Sequence, residues 1–135
     1  MFKKLIKPVY AHCDLPCGIY ETETVTSAAA TCLRMVEKIE QLGELDDDNV
    51  EQMASFTRAV HIKEEHAQKV KEQLYVLWSD YFKPEHLETF PDLHTTFWLA
   101  AKQASKVKQT VSRAECEALI AQVAQIADIF AQSKK

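Results

Sequence analysis

Glycine and proline are scarce in this chain, at 2 and 4 of 135 residues. So few turn-formers exclude a sandwich, a barrel or a doubly wound sheet, and leave long helices joined by short connections. Nowhere do about 18 uncharged apolar residues run together, so no membrane-spanning helix is expected. Basic charge is short as well. Sixteen Lys plus Arg face 20 Asp plus Glu, a net charge of −4, whereas a nucleic-acid binder usually carries a basic face. Cys13, Cys17, Cys32 and Cys116 are too few for a disulfide scaffold at this size. The length itself suits one domain that buries a core of its own.

The first eleven residues do not resemble the rest. Met1–Ala11 carries Lys3, Lys4 and Lys7 and no acid, and it stops against a short polar loop. A secretory signal needs an apolar stretch of roughly 7 to 15 residues, which Leu5-Ile6 cannot supply. A disordered arm, an edge strand and a removable leader all fit this segment, and the cytoplasm is the expected location.

Beyond Tyr20 the pattern is helical. Thr22, Thr24 or Thr26 can cap a helix that runs to about Leu42. Its stripe of Val25, Ala28, Ala29, Cys32, Val36 and Ile39 recurs every three or four residues, and Gly43 suits its end. Asp46, Asp47 and Asp48 read as a solvated turn and N-cap. A second helix is predicted from about Asn49 to Tyr81, its stripe interrupted around Lys63, Glu64 and Glu65, which read as a solvated stretch. Pro84 stops it. After Pro91, Leu93, Phe97, Ala100, Ala101 and Ala104 face inward on a third helix. Ser112 with Glu115 reads as a capping box for the last. Four helices with short loops predict an all-α, antiparallel, up-down four-helix bundle. His61, His66, His86 and His94 fall among charged residues and read as surface groups. Tyr75, Trp78, Tyr81, Phe82, Phe90, Phe97 and Trp98 gather around the second turn-around, more than a slim bundle hides, which suggests a subunit interface.

The chemistry gathers in one loop. His12-Cys13-Asp14-Leu15-Pro16-Cys17 puts two thiols and an imidazole within six residues, bent by proline. A soft-metal site or a redox pair both fit, and a Cys13–Cys17 disulfide remains open. No second Cys or His pair stands at a zinc-like spacing. Cys32 and Cys116 sit on apolar stripes and read as small buried hydrophobes. Were the chain cut between Ala11 and His12, the new amine and the Cys13 amide would join the two thiolates in a planar N₂S₂ set. That set suits Ni(II) or Cu(II) better than tetrahedral zinc, with the imidazole as an axial ligand.

HCDLPCGIY resembles the metal-binding hook of the nickel-containing superoxide dismutases. LWSDYFKP at Leu77–Pro84, Thr57-Arg58-Ala59 and Ala124-Gln125-Ile126 are similar to theirs too, so the resemblance runs from His12 to the C-terminus. It implies a superoxide dismutase that turns superoxide into oxygen and peroxide, with one nickel ion per subunit and a homohexameric four-helix bundle. It divides the chain into residues 1–11, a leader removed by a maturation protease, and the enzyme domain at 12–135. Within that domain, 12–20 would form the hook and 21–135 the bundle. His12 would give the amine and axial imidazole, Cys13 an amide and a thiolate, and Cys17 the second thiolate. Asp14 and Pro16 would shape the hook, Tyr20 would border the vacant face of the metal, and Arg58 would help orient the imidazole. One departure is that Ala28 stands where some members place a glutamate beside that imidazole. Another is that Tyr20-Glu21 leads into Thr22, where a proline often follows. The alternative reading is a non-catalytic nickel- or copper-binding helical protein. A third is a structural bundle with a Cys13–Cys17 disulfide.

Overall fold

In the computed structural model, residues 18–135 are described. The expected leader, Met1–Ala11, and the hook residues His12, Cys13, Asp14, Pro16 and Cys17 lie outside them. Helix α1 spans Glu23–Gln41 and α2 spans Val50–Val76, which runs on into a π-helical turn at Leu77–Tyr81. A single turn, α3, follows at His86–Thr89, then α4 at Leu93–Gln109 and α5 at Arg113–Ser133. Helix α1 packs on α2 and α5, and α4 packs on the same two, so the four long helices close a ring. The all-α bundle expected from the apolar spacing is therefore the observed one. No described helix is long and apolar enough to cross a membrane.

Each long helix buries one stripe. Val25, Ala28, Ala29, Cys32 and Val36 of α1 meet Ala67, Val70 and Leu74 of α2 and Phe97, Ala100, Ala104 and Val107 of α4. Cys116, Leu119, Val123, Ile126 and Phe130 of α5 complete the core.

The helix ends refine the expectation from sequence. Asn49, not the aspartates, caps α2: its side chain accepts from the Gln52 amide at 3.0 Å. Gln52 in turn closes the α1–α2 loop, donating to the carbonyls of Leu42 and Glu44 and accepting from the Asp46 amide. Gly43 ends α1 with φ +68°, a conformation that L side chains rarely adopt. Thr22 stands at the α1 N-cap without a side-chain capping bond, and the Glu21 carboxylate accepts from the Thr24 amide at 2.8 Å instead. At α5, Ser112 accepts from the Glu115 amide at 3.3 Å. The Glu115 carboxylate turns away from the capping box and accepts from Gln103 on α4. Asn49→Ala should lower stability by about 1 kcal/mol, read as a shift of the urea midpoint with an unchanged slope.

One expectation is corrected outright. Lys63 is not part of a solvated stretch: it is 1% exposed, at the centre of the bundle. Its ammonium donates to the carbonyls of Val107 and Lys108 at the end of α4, the second at 3.1 Å. The α4 C-terminus has carbonyls that no following turn satisfies and a partial negative charge, and Lys63 answers both.

Candidate metal centre and its surroundings

Gly18 to Glu21 lead from the cysteine loop into α1. Gly18 has φ +79°. A Cβ there would meet nothing within 4 Å, so the backbone turn, not crowding, calls for glycine. Tyr20 is half-buried and packs against the core. Its ring meets Tyr81 edge-on at 5.4 Å between centroids.

The π-helical turn sets up that contact. The Phe82 amide donates to the Leu77 carbonyl at 3.1 Å, a bond five residues long, and Tyr81 is the last residue of that widened turn. Tyr81 then lies 4.7 Å from the Phe130 ring and shares a 2.8 Å hydrogen bond with the Ser133 hydroxyl. The root of the expected hook is thus fastened to α2 and to the last turn of α5.

The other expected residues fall in two separate places. Arg58 is exposed and borders a groove with Met35, Lys38, Gln41, Leu42 and Ile62. Met35, Lys38, Gln41 and Leu42 belong to the C-terminal half of α1 and the loop after it, and Ile62 to α2, whereas Tyr20 precedes the first turn of α1. Nineteen residues of helix span roughly 28 Å, so most of the length of α1 separates Arg58 from Tyr20. Ala28, 2% exposed, borders a different hollow near the start of α1, with Glu23, Thr24, Ser27, His66 and Lys69. The sequence reading placed His66 on the surface and did not connect it with Ala28. The residues lie on different helices, and no spacing rule joins them.

The remaining cysteines behave as their stripes predicted. Cys32 and Cys116 are free and buried. Burial pushes the Cys32 thiol up to about 12, with Cys116 adding to the rise and Lys63 opposing it. Burial likewise raises the Cys116 thiol. The Cys32 thiol sits 3.5 Å from the Lys63 carbonyl as donor. Thiols held protonated in this way make neither ligands nor nucleophiles. Among the described residues, no group of three or more His, Cys, Asp or Glu could hold a metal ion.

With an all-α bundle whose core thiols are inert, the two further thiols and the imidazole that the sequence concentrates in His12–Cys17 are left as the candidate metal centre. Residues 7–134 match the family of nickel-containing superoxide dismutases, and the chain belongs to that family. It is 39% identical to a nickel superoxide dismutase of Streptomyces seoulensis, across 100% of this chain and 99% of that protein. It is 37% identical to the one of Streptomyces coelicolor over the same shares. A native nickel superoxide dismutase structure superposes with a TM-score of 0.78 at 36% identity, over 92% of this chain and 100% of its own.

Proposed function

We propose that the chain is the precursor of a superoxide dismutase whose working subunit begins at His12. The observation that carries this reading is the donor set. Two thiols, an imidazole and, after cleavage, an amine stand within His12–Cys17, while the described bundle offers no competing cluster. Anionic sulfur with amine and amide nitrogen fits nickel. The shares of alignment support the boundary. The Streptomyces proteins align with the entire chain, and the native solved subunit, whole, with 92% of it. Removing 11 of 135 residues leaves 124, which is that share.

Nickel, when bound, supplies the one-electron step of dismutation. The chain does the rest. Cys13 and Cys17 give the thiolates, and Cys13 also gives its backbone nitrogen. His12 gives the amine and the ring. Asp14 and Pro16 shape the loop, and Tyr20, fixed by Tyr81, limits what approaches. Steering of the anionic substrate must be local, because losing Lys3, Lys4 and Lys7 with the leader takes the net charge from −4 to −7. Arg58, distant from Tyr20 within one chain, is proposed to act between subunits of a homohexamer. The exposed faces of Trp78, Trp98, Tyr75 and Leu99 suit such contacts. A maturation protease and a cytoplasmic location complete the reading.

Intact mass and metal content, measured on protein from its own host, test it. The expected result is a mass that begins at His12 with one nickel per chain. A mass that begins at Met1, without nickel, overturns it.

A further inference from the structure

Among the described residues, the exposed Phe, Trp and Tyr rings are those of Tyr75, Trp78 and Trp98. All three line one groove, of about 370 Å³, between α2 with its π-helical turn and α4. That volume lies within the range of small-molecule sites. Leu74, Phe97 and Ala101, all buried, form its floor. Two cross-links between the helices mark its ends. Lys71 Nζ donates to Ser105 Oγ at 3.1 Å, and Trp78 Nε1 donates to His94 Nδ1 at 2.8 Å. Seven residues of helix separate Lys71 from Trp78, roughly 10 Å.

The charge in the groove runs against that of the chain. Its lining holds two lysines and no acid, although acids outnumber bases 20 to 16 overall. Among the described residues neither Lys71 nor Lys102 forms an ion pair. Lys71 is half-buried. The Ser105 hydroxyl that accepts from it donates onward to the Ala101 carbonyl, so two ammonium hydrogens are left for a ligand. Lys102 lies 5.7 Å from the centroid of the Trp98 ring, which holds it along the groove. At the other end the Trp78 indole gives its one N–H to His94, so it offers the groove apolar ring surface and no further donor. A wall already fixed in this way loses little freedom on binding.

We propose that this groove binds a small aromatic carboxylate, its ring above Phe97 among Tyr75, Trp78 and Trp98 and its carboxylate on Lys71, with Lys102 beside it. Each half of such a ligand meets its own complement. The ring packs against rings, and the carboxylate takes charge-assisted hydrogen bonds from an ammonium that has no other anion. A second copy of this chain suits the groove less well. Its other exposed large hydrophobic residues, Ile19, Leu45, Val50, Leu99 and Val111, are all aliphatic, so it brings no ring beyond those that line the groove. The proposal stands apart from the nickel reading, and it leaves the outer faces of the rings to the subunit contacts proposed above.

Calorimetric titration of the full chain with 3-phenylpropionate tests it. Both tryptophans of the chain line the groove, so indole fluorescence reports the same event. The expected result is saturable binding with a Kd of about 1 mM or tighter, with tryptophan emission changing over the same concentrations. The uncharged 3-phenylpropionamide should bind at least about tenfold more weakly. Lys71→Met should weaken binding of the acid at least about fivefold and leave that of the amide as it was, which a misfolded variant would not do. Trp98→Ala should weaken the acid at least about fivefold as well. No saturation by about 10 mM acid, equal affinity for acid and amide, or either variant binding the acid as the parent does overturns the proposal. So does a Trp98→Ala chain that sediments as a smaller oligomer while the assembled parent binds no 3-phenylpropionate, which gives the groove to a second copy.

Discussion

Cys17→Ser, in protein matured to begin at His12 and supplied with nickel, should lose dismutase activity by more than about 100-fold, beyond what loss of an outer-shell group typically causes. A serine hydroxyl keeps its proton at neutral pH, so the proposed donor set would lose an anionic, polarisable sulfur and gain a neutral hard oxygen. Superoxide decay followed by pulse radiolysis or stopped flow reads the rate, and metal analysis on the same sample reads nickel occupancy. The bundle should not notice, because the described core is built from residues of the helices and the turns between them, none of which the substitution changes. Thermal unfolding should stay within about 0.5 kcal/mol of the parent. An active Cys17→Ser protein would remove the thiolate pair from the mechanism.

Cys32→Ser should do the reverse. It places a hydroxyl in the middle of the core, where Cys32 is fully buried, at a cost of about 1–3 kcal/mol moderated by the Lys63 carbonyl beside it. Activity per nickel should stay at the parent's level. The pair of variants divides the four cysteines by what surrounds them: two in a polar segment with an imidazole, two behind apolar side chains that keep their protons on.

The buried half of that division was legible from the sequence, because Cys32 and Cys116 stand on apolar stripes whose spacing alone turns them inward; Cys13 and Cys17 lie outside the described residues. The same holds for the bundle. The stripe Val25, Ala28, Ala29, Cys32 and Val36 sits on one face by spacing alone, and the observed core repeats it. What spacing could not convey is anything assembled from distant residues. The π-helical turn at Leu77–Tyr81 leaves no mark in the pattern, because one widened turn shifts the register only locally. The single turn at His86–Thr89 is too short to show a period. Ala28 and His66 meet only once α1 and α2 are packed. Lys63 is the instructive case. It lies four residues after Ala59 and four before Ala67, squarely on the buried stripe, and only its residue type disguised it. Position should have outweighed polarity there, because a helix C-terminus across the bundle offers a buried ammonium the acceptors it needs.

Lys63→Ala should therefore be among the most damaging substitutions in the bundle, at about 2–4 kcal/mol. It removes the donor to two carbonyls of α4, worth roughly 1.5–3 kcal/mol for a charged group, and leaves a void where the methylenes packed. Lys63→Met fills the void and loses only the hydrogen bonds, so it should cost about 1–2 kcal/mol less than alanine. The pH dependence identifies the charge. Burial pushes the Lys63 ammonium below its ordinary 10.5, with Glu64 pulling weakly the other way. Between the folded value and 10.5 the unfolded chain binds more protons than the folded one, so the parent gains stability as pH rises through that window. Methionine cannot titrate. The difference between parent and Lys63→Met should thus be constant at neutral pH and widen in alkali towards 10.5. Urea unfolding of both proteins at a series of alkaline pH values reads it; parallel curves would show that burial leaves the Lys63 ammonium's proton affinity unchanged, whereas a difference that already grows with pH near neutrality would show that Lys63 enters the core uncharged.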